Sequence, residues 1–257
     1  MHLDVAHLKE FYDLPLGRML RVLVGHRMRR IWPQLKGRKL LGLGYATPFV
    51  RPYMKEAAQV AVGMPAAQGV VKWPREKDAP NKAFLMEPNR MPLPDSSFDR
   101  IMMVHSLDMA SDPDGLIEEV YRVLAPGGRI MIVVPNRRGY WCRSEASPFG
   151  YGRPYSRSQL ENFLGNHALS VVGREEALYV PPINSRLVMK SARSFERMGN
   201  FIWPAFAGLV LMEAEKRVYR GLHSRSDRFA RALRPVFLPE GKTAGAQIFE
   251  EPRNPCR

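Results

Sequence analysis

From Leu40 onward, short apolar runs of the kind that fit a pleated strand alternate with stretches of helical period. The runs "KLLGLG", "QVAVGM", "KAFLME", "DRIMMVHS" and "RIMIVVPN" predict five strands, and the alternation predicts crossover units that build a parallel sheet covered by helices. Two later runs, "LSVVGREEALYV" and "AGLVLMEA", joined by a helical stretch around Ser191 to Met198, are expected to close one sheet edge as an antiparallel pair. Ahead of the first strand, Leu16, Met19, Leu20, Leu23, Val24 and Ile31 fall mostly at steps of three and four, which predicts an amphipathic helix. Arg18, Arg21, Arg27, Arg29 and Arg30 lie mostly off that stripe and read as a solvated face. Pro15 and Gly17 separate this helix from a shorter one over Asp4 to Tyr12. Two later helices have readable starts. Asp112 caps "DGLIEEVYRVL" with Pro113 in its first turn, and Gly127-Gly128 reads as its end. Ser156 and Gln159 form a capping-box pattern before "LENFLGNH".

Length and charge narrow this picture. A chain of 257 residues, 45% hydrophobic, supports one main core with extensions. The formal net charge of +14 sits at the ends: residues 1–39 carry nine Lys/Arg against three Asp/Glu, and residues 214–257 carry ten against five. The middle is near-neutral, so the charge speaks to a partner or a surface rather than to the core. Cys142 and Cys256 have no metal-ligand spacing and suggest neither a disulfide framework nor a zinc site. The first residues lack an apolar signal region, and the longest apolar stretch, Phe201 to Met212, is broken by Pro204 and too short to span a bilayer. A soluble, cytoplasmic protein without a metal is the expectation. The tail from Arg234 is punctuated by Pro and Gly without periodicity.

The stretch "LLGLGYATPFV" holds the first candidate chemistry. Gly42 and Gly44 follow a strand and precede a helix, where glycine permits a sharp turn and close approach of a ligand to the main chain. Thr47 reads as the helix N-cap and Pro48 as its first residue, so the turn would present N–H groups to a carboxylate or phosphate.

Further along, "MPLPDSSFDRI", "VHSLDMASDP", "EEVYRVLAPGGRIMIVVPN" and "RPYSRSQLENFL" occur in order. Together they resemble the class I S-adenosylmethionine-dependent methyltransferases, especially the branch acting on small molecules and lipidic quinones. The resemblance covers roughly Leu40 to Ala214. It implies an α/β, Rossmann-like sheet of seven mostly parallel strands, with helices on both faces and an antiparallel last strand, preceded here by a helical extension. The divisions expected are residues 1–38 for the extension, 39–214 for the methyltransferase-like domain, and 215–257 for a basic segment and irregular tail. The implied cofactor is S-adenosylmethionine, with S-adenosylhomocysteine as product. Gly42, Gly44 and Tyr45 would surround its methionine part, with Thr47 and Met64 on the neighbouring loops and Glu87 near the adenine amine. His105 would stand beside cofactor and acceptor as the candidate catalytic base, with Asp108 close by in sequence. Asn136, Tyr140 and Tyr155 would border the acceptor, and Arg137, Arg138 and Arg143 around Tyr140 and Trp141 read as a lid with a solvated basic face.

The chain departs from the family pattern at the second strand, which ends in Met64 and Pro65 where an acid usually takes the ribose hydroxyls. Each lost hydrogen bond to a charged group is worth about 1.5 to 3 kcal/mol, or about ten- to a hundredfold in affinity. Gly42 likewise replaces a common acid, and Pro48 a common glycine. Two readings therefore stand side by side. One is a methyltransferase with a small or lipidic acceptor. The other is a methyltransferase-like binding or regulatory subunit without activity, meeting a protein partner through its N-terminal helices or C-terminal tail. Nucleic acid is the less favoured partner: the charge lies mostly outside the resembling core, and the fourth strand is followed by "HSLD" rather than by a base-flipping motif.

Overall fold

The structure, a computed structural model, describes residues 3–183, 185–202 and 206–217. The expectations for the tail and for the basic segment after residue 217 lie outside the described residues. In chain order the elements are α1 (Val5–Asp13), α2 (Pro15–Ile31), β1 (Lys39–Gly44), α3 (Thr47–Val50), β2 (Gln59–Pro65), β3 (Ala83–Met86), β4 (Phe98–Val104), α4 (Pro113–Val123), β5 (Leu124–Pro135), α5 (Arg157–Asn166), β6 (Leu169–Ala177), α6 (Arg186–Ile202) and β7 (Leu209–Lys216).

All seven strands join one sheet in the order β3-β2-β1-β4-β5-β7-β6. The first five run parallel, and β7 pairs antiparallel with both β5 and β6, as the sequence predicted. The pleat sorts the side chains into two cores. Leu40, Met102, Val104, Met131, Val133 and Leu211 pack with Leu20, Val24 and Met28 of α2. Their neighbours Leu41, Leu43, Ile101, Met103, Ile132 and Met212 pack with Ile117 and Val120 of α4 and Leu160 and Leu164 of α5. Because both faces of a parallel sheet must be covered, α2 serves as a layer of the sandwich. Trp32, just past its end, donates from Nε1 to Glu213 on β7 at 2.8 Å.

Local signals were realised at several helix ends. The Asp4 side chain caps α1, Asp112 caps α4, and Ser156 and Gln159 form the reciprocal capping box of α5. Two expectations are corrected. Helix α4 stops at Val123, and Gly127-Gly128 lie in the first part of β5, where the pairing register with β4 shifts and Gly127 takes a φ of 68°. Thr47 is the first residue of α3 rather than its cap, with Ala46 in the capping position and no side-chain cap bond. The α3 helix is only four residues long, so it offers little dipole to an anion.

Candidate active site at the ends of β1 and β4

The strand order reverses between β1 and β4, and this is where an open α/β sheet forms a crevice at its carboxyl ends. Gly44 and Val104 are register partners across that gap. Gly44 has a φ of 72°, and a Cβ on it would lie 2.4 Å from the Val104 carbonyl oxygen and 2.6 Å from that of His105. Its missing side chain is thus required by the neighbouring strand end, a demand separate from ligand approach. Gly42 is held bare by Val50 and Ala46, which fold back over the strand.

His105 follows β4 with a φ of 50°, a left-handed conformation unfavourable for a residue with a Cβ. Its ring is fully buried and lies against Phe149, with centroids 4.3 Å apart. Its Nε2 is 2.9 Å from the Tyr12 hydroxyl. Its Nδ1 faces Asp108 Oδ2 at 3.8 Å, within ion-pair reach but too long for a hydrogen bond. The carboxylate favours the ring proton on Nδ1, so Nε2 accepts from Tyr12. Gln68, on the loop after β2, donates to the His105 carbonyl at 2.7 Å, while its own carbonyl accepts from Val5 N–H of α1 at 2.8 Å.

Tyr12 comes from the end of α1. Its ring stacks on Tyr45 at 5.5 Å and meets Phe49 edge-on. Burial, reinforced by Tyr45 and Asp108, holds its phenol well above the usual tyrosine range, so it stays protonated. Asp108 is enclosed by the loop after β5: Arg153 N–H donates to its carbonyl at 2.6 Å, and Gly152 leaves no room for a Cβ beside its carboxylate. Among the described residues, both Asp108 carboxylate oxygens, His105 Nδ1 and Ser106 Oγ are buried without a hydrogen-bond partner. A cleft of about 290 Å³ runs between α1 and this loop, lined by His7, Phe11, Ser147 and Tyr151.

The structure therefore brings Gly44, Tyr45 and His105 together around Tyr12, and leaves other sequence candidates apart from that cluster. Met64 is core, paired with Leu85 of β3. Glu87 is exposed in a turn bridged to Arg90. Asn136 spends its side chain on the loop, donating to Ala207 O and accepting from Arg138 N. Tyr155 bridges to Asn136 with its ring against Phe163, and burial raises its phenol pKa. Tyr140 is exposed and lines a groove with Phe195 and Met198 of α6. The segment read as a lid is anchored by Trp141, whose buried ring donates to Val180 O at 2.7 Å, while Arg137, Arg138 and Arg143 are exposed. Tyr12, Gln68 and Phe149 were not singled out from the sequence.

These residues fit the cofactor implied by the sequence only in part. The turn and strand ends have the required arrangement, but β2 ends without a carboxylate and the Tyr12 ring lies against Tyr45 and His105, where the methionine part would lie.

Comparison with known proteins agrees with the fold. The methyltransferase domain family matches residues 41–132. A malonyl-[acyl-carrier protein] O-methyltransferase of Serratia marcescens is 27% identical over 108 residues, 42% of each chain. A ubiquinone/menaquinone biosynthesis C-methyltransferase of Pseudoalteromonas translucida is 33% identical over 64 residues, 25% of this chain and 26% of that one. The chain thus spans less than half the length of either relative. A methyltransferase solved in complex with the Trm112 activator of Haloferax volcanii superposes with a TM-score of 0.58 at 17% identity, over 83% of this chain and 95% of that one. The matched domain, these relatives and the seven-stranded fold make the chain similar to the class I S-adenosylmethionine-dependent methyltransferases, whose cofactor is S-adenosylmethionine.

Proposed function

We propose that the chain is a cytoplasmic methyltransferase for a small or lipidic acceptor, with His105 as the base that takes the acceptor's proton. The observation that carries this reading is the buried cluster of His105, Asp108 and Tyr12. A carboxylate and an imidazole enclosed with unpartnered polar atoms cost stability, and such costs collect where chemistry is done. The Tyr12 hydroxyl, 2.9 Å from Nε2, marks where an acceptor O–H or N–H would sit. When that proton arrives on Nε2, Asp108 beside Nδ1 stabilises the imidazolium. Phe149 and the loop after β5 exclude water from the site. When bound, the cofactor supplies an electrophilic methyl group on a sulfonium, so orientation of the acceptor is the protein's main contribution. Helix α1 moves aside as ligands enter. An acceptor of small or lipidic type accords with the names of the curated relatives.

A second reading, a binding or regulatory subunit without activity, draws on the crevice closed by Tyr12 and on the apolar end of β2. The Haloferax complex offers a precedent for a partnered protein of this fold. Calorimetric titration with S-adenosylhomocysteine separates the two. Micromolar binding, lost on substituting Tyr45→Ala, supports the enzyme. Absence of binding to the purified chain and to Tyr12→Ala overturns that reading in favour of the subunit.

A further inference from the structure

Helix α6 and the residues just before β7 carry several exposed large apolar side chains. Phe201 is 89% exposed and Met198 55%, and Ile183, Phe195 and Phe206 are exposed beside them. With Tyr140 and Tyr179, several of these line an apolar groove of about 400 Å³. The opposite side of the helix is fixed. Glu196 is buried, accepts from Tyr179 N–H at 2.7 Å and pairs with Arg27 of α2 at 3.6 Å, and Gly199 lets the helix lie directly against Tyr179. The rigid inner attachment means that the outer apolar residues are held in place rather than free to fold inward.

The charge carried by the α6 sequence is mostly of one sign. Along α6, Arg186, Lys190, Arg193 and Arg197 recur at steps of four, three and four residues, which puts these positions on one stripe of the helix. The helix's single acid, Glu196, is already paired. Arg138 and Arg143, flanking Tyr140 in sequence, are exposed. Exposed Phe and Met side chains on a helix about 25 Å long, whose sequence carries four basic residues and one acid, are the pattern that lies in the plane of an anionic bilayer surface.

We propose that α6 and the adjoining Tyr140 groove form a docking surface for an anionic phospholipid membrane, with Met198 and Phe201 entering the boundary between headgroups and acyl chains and the exposed Arg138 and Arg143 meeting the headgroups. Charge decides against two other occupants. Residues 214–257 carry ten Lys/Arg against five Asp/Glu, so the chain's own tail would bring positive charge to a positive stripe. A second copy, at a net charge of +14, would do the same. Docking requires neither cofactor binding nor turnover, so it stands or falls apart from the catalytic reading.

The test is co-sedimentation of the full chain with phosphatidylcholine vesicles and with vesicles of phosphatidylcholine and phosphatidylglycerol. Binding to the mixed vesicles alone, weakening as salt is raised, is expected. The double variant Met198→Ser/Phe201→Ser should keep the wild-type circular dichroism and melting temperature, since both side chains are exposed, yet bind roughly tenfold more weakly or worse. Arg193→Glu should weaken binding as well. No binding of the wild type to the mixed vesicles overturns the proposal. So does equal binding by the double variant, which would reduce the effect to the chain's overall charge, or a change of that variant from dimer to monomer in sedimentation, which would make the surface a self-interface.

Discussion

Asp108 is buried beside an imidazole, and neither of its carboxylate oxygens has a hydrogen bond among the described residues. A buried carboxylate without a hydrogen bond is destabilising, and the neutral amide of the same shape is less so. Asp108→Asn should therefore stabilise the fold by about 1 to 2 kcal/mol in denaturant unfolding. On the catalytic reading it also lowers turnover about a hundredfold, because the imidazolium loses its counter-charge. A variant both less stable and fully active would remove Asp108 from the mechanism. Tyr53 shows the opposite economy. Its hydroxyl donates to Trp32 O at 3.1 Å, Arg29 lies 4.0 Å over its ring, and burial pushes its phenol up to about 12. A raised folded-state pKa means that its contribution is complete below the ordinary tyrosine value and drains away as pH climbs towards 12. The wild type should lose about 2 to 3 kcal/mol over that alkaline interval that Tyr53→Phe does not lose. Parallel pH curves for the two proteins would contradict this. At this scale His105, ending the fourth strand, was legible in the sequence, whereas its neighbour Tyr12, 93 residues away, was not. Its setting, "FYDLPLG", marks a tight corner, confirmed by Gly17 packing on the Phe11 carbonyl, but nothing local says where that corner docks.

Among the elements, α2 separates what periodicity can and cannot tell. Its apolar stripe and its packing on the sheet followed from steps of three and four residues, because burial of that stripe is a local demand. Arg27, read as part of a solvated face, is instead buried between Glu175 of β6 at 3.2 Å and Glu196 of α6 at 3.6 Å. Glu175 lies 148 residues downstream and Glu196 further still, and only the assembled fold brings them to α2. Burial raises the Glu196 carboxyl above its usual range, with Arg27 among the groups opposing that rise. Arg27→Met should cost about 3 kcal/mol in denaturant unfolding near neutral pH, because the enclosed Glu196 carboxylate loses its cation, whereas Glu175 keeps Arg30 at 3.3 Å. With the folded-state carboxyl pKa raised further, protonation relieves the penalty, so the deficit should shrink as pH falls through that raised value. A deficit independent of pH would mean that lost packing, not charge, is the cause. The capping box of α5 was legible for the converse reason: Ser156 and Gln159 are three residues apart and answer each other directly.

Over the whole molecule, the sheet order sets the crevice between β1 and β4, and α1 lies across it. Covering is a linkage problem. If ligand enters only when α1 has moved, the apparent affinity is the intrinsic affinity multiplied by the fraction of molecules in which it has moved. Tyr12 ties α1 down by its hydrogen bond to His105 and its stacking on Tyr45, while Val5 ties it to the loop after β2. Tyr12→Ala removes the first two ties and keeps the third. The variant should melt at lower temperature, since a fully enclosed ring is lost, and yet bind S-adenosylhomocysteine roughly tenfold more tightly in calorimetric titration. Loss of stability with gain of affinity is a combination that a merely structural tyrosine does not produce, because damage to the site's framework would weaken both. If the variant instead binds tenfold more weakly, the ring belongs to the liganded state, and α1 closes over the cofactor rather than against it. In either case, hydrogen exchange at Val5 to Tyr12, followed with and without S-adenosylhomocysteine, gives the direction of the movement: faster exchange on binding accompanies displacement, and slower exchange accompanies closure.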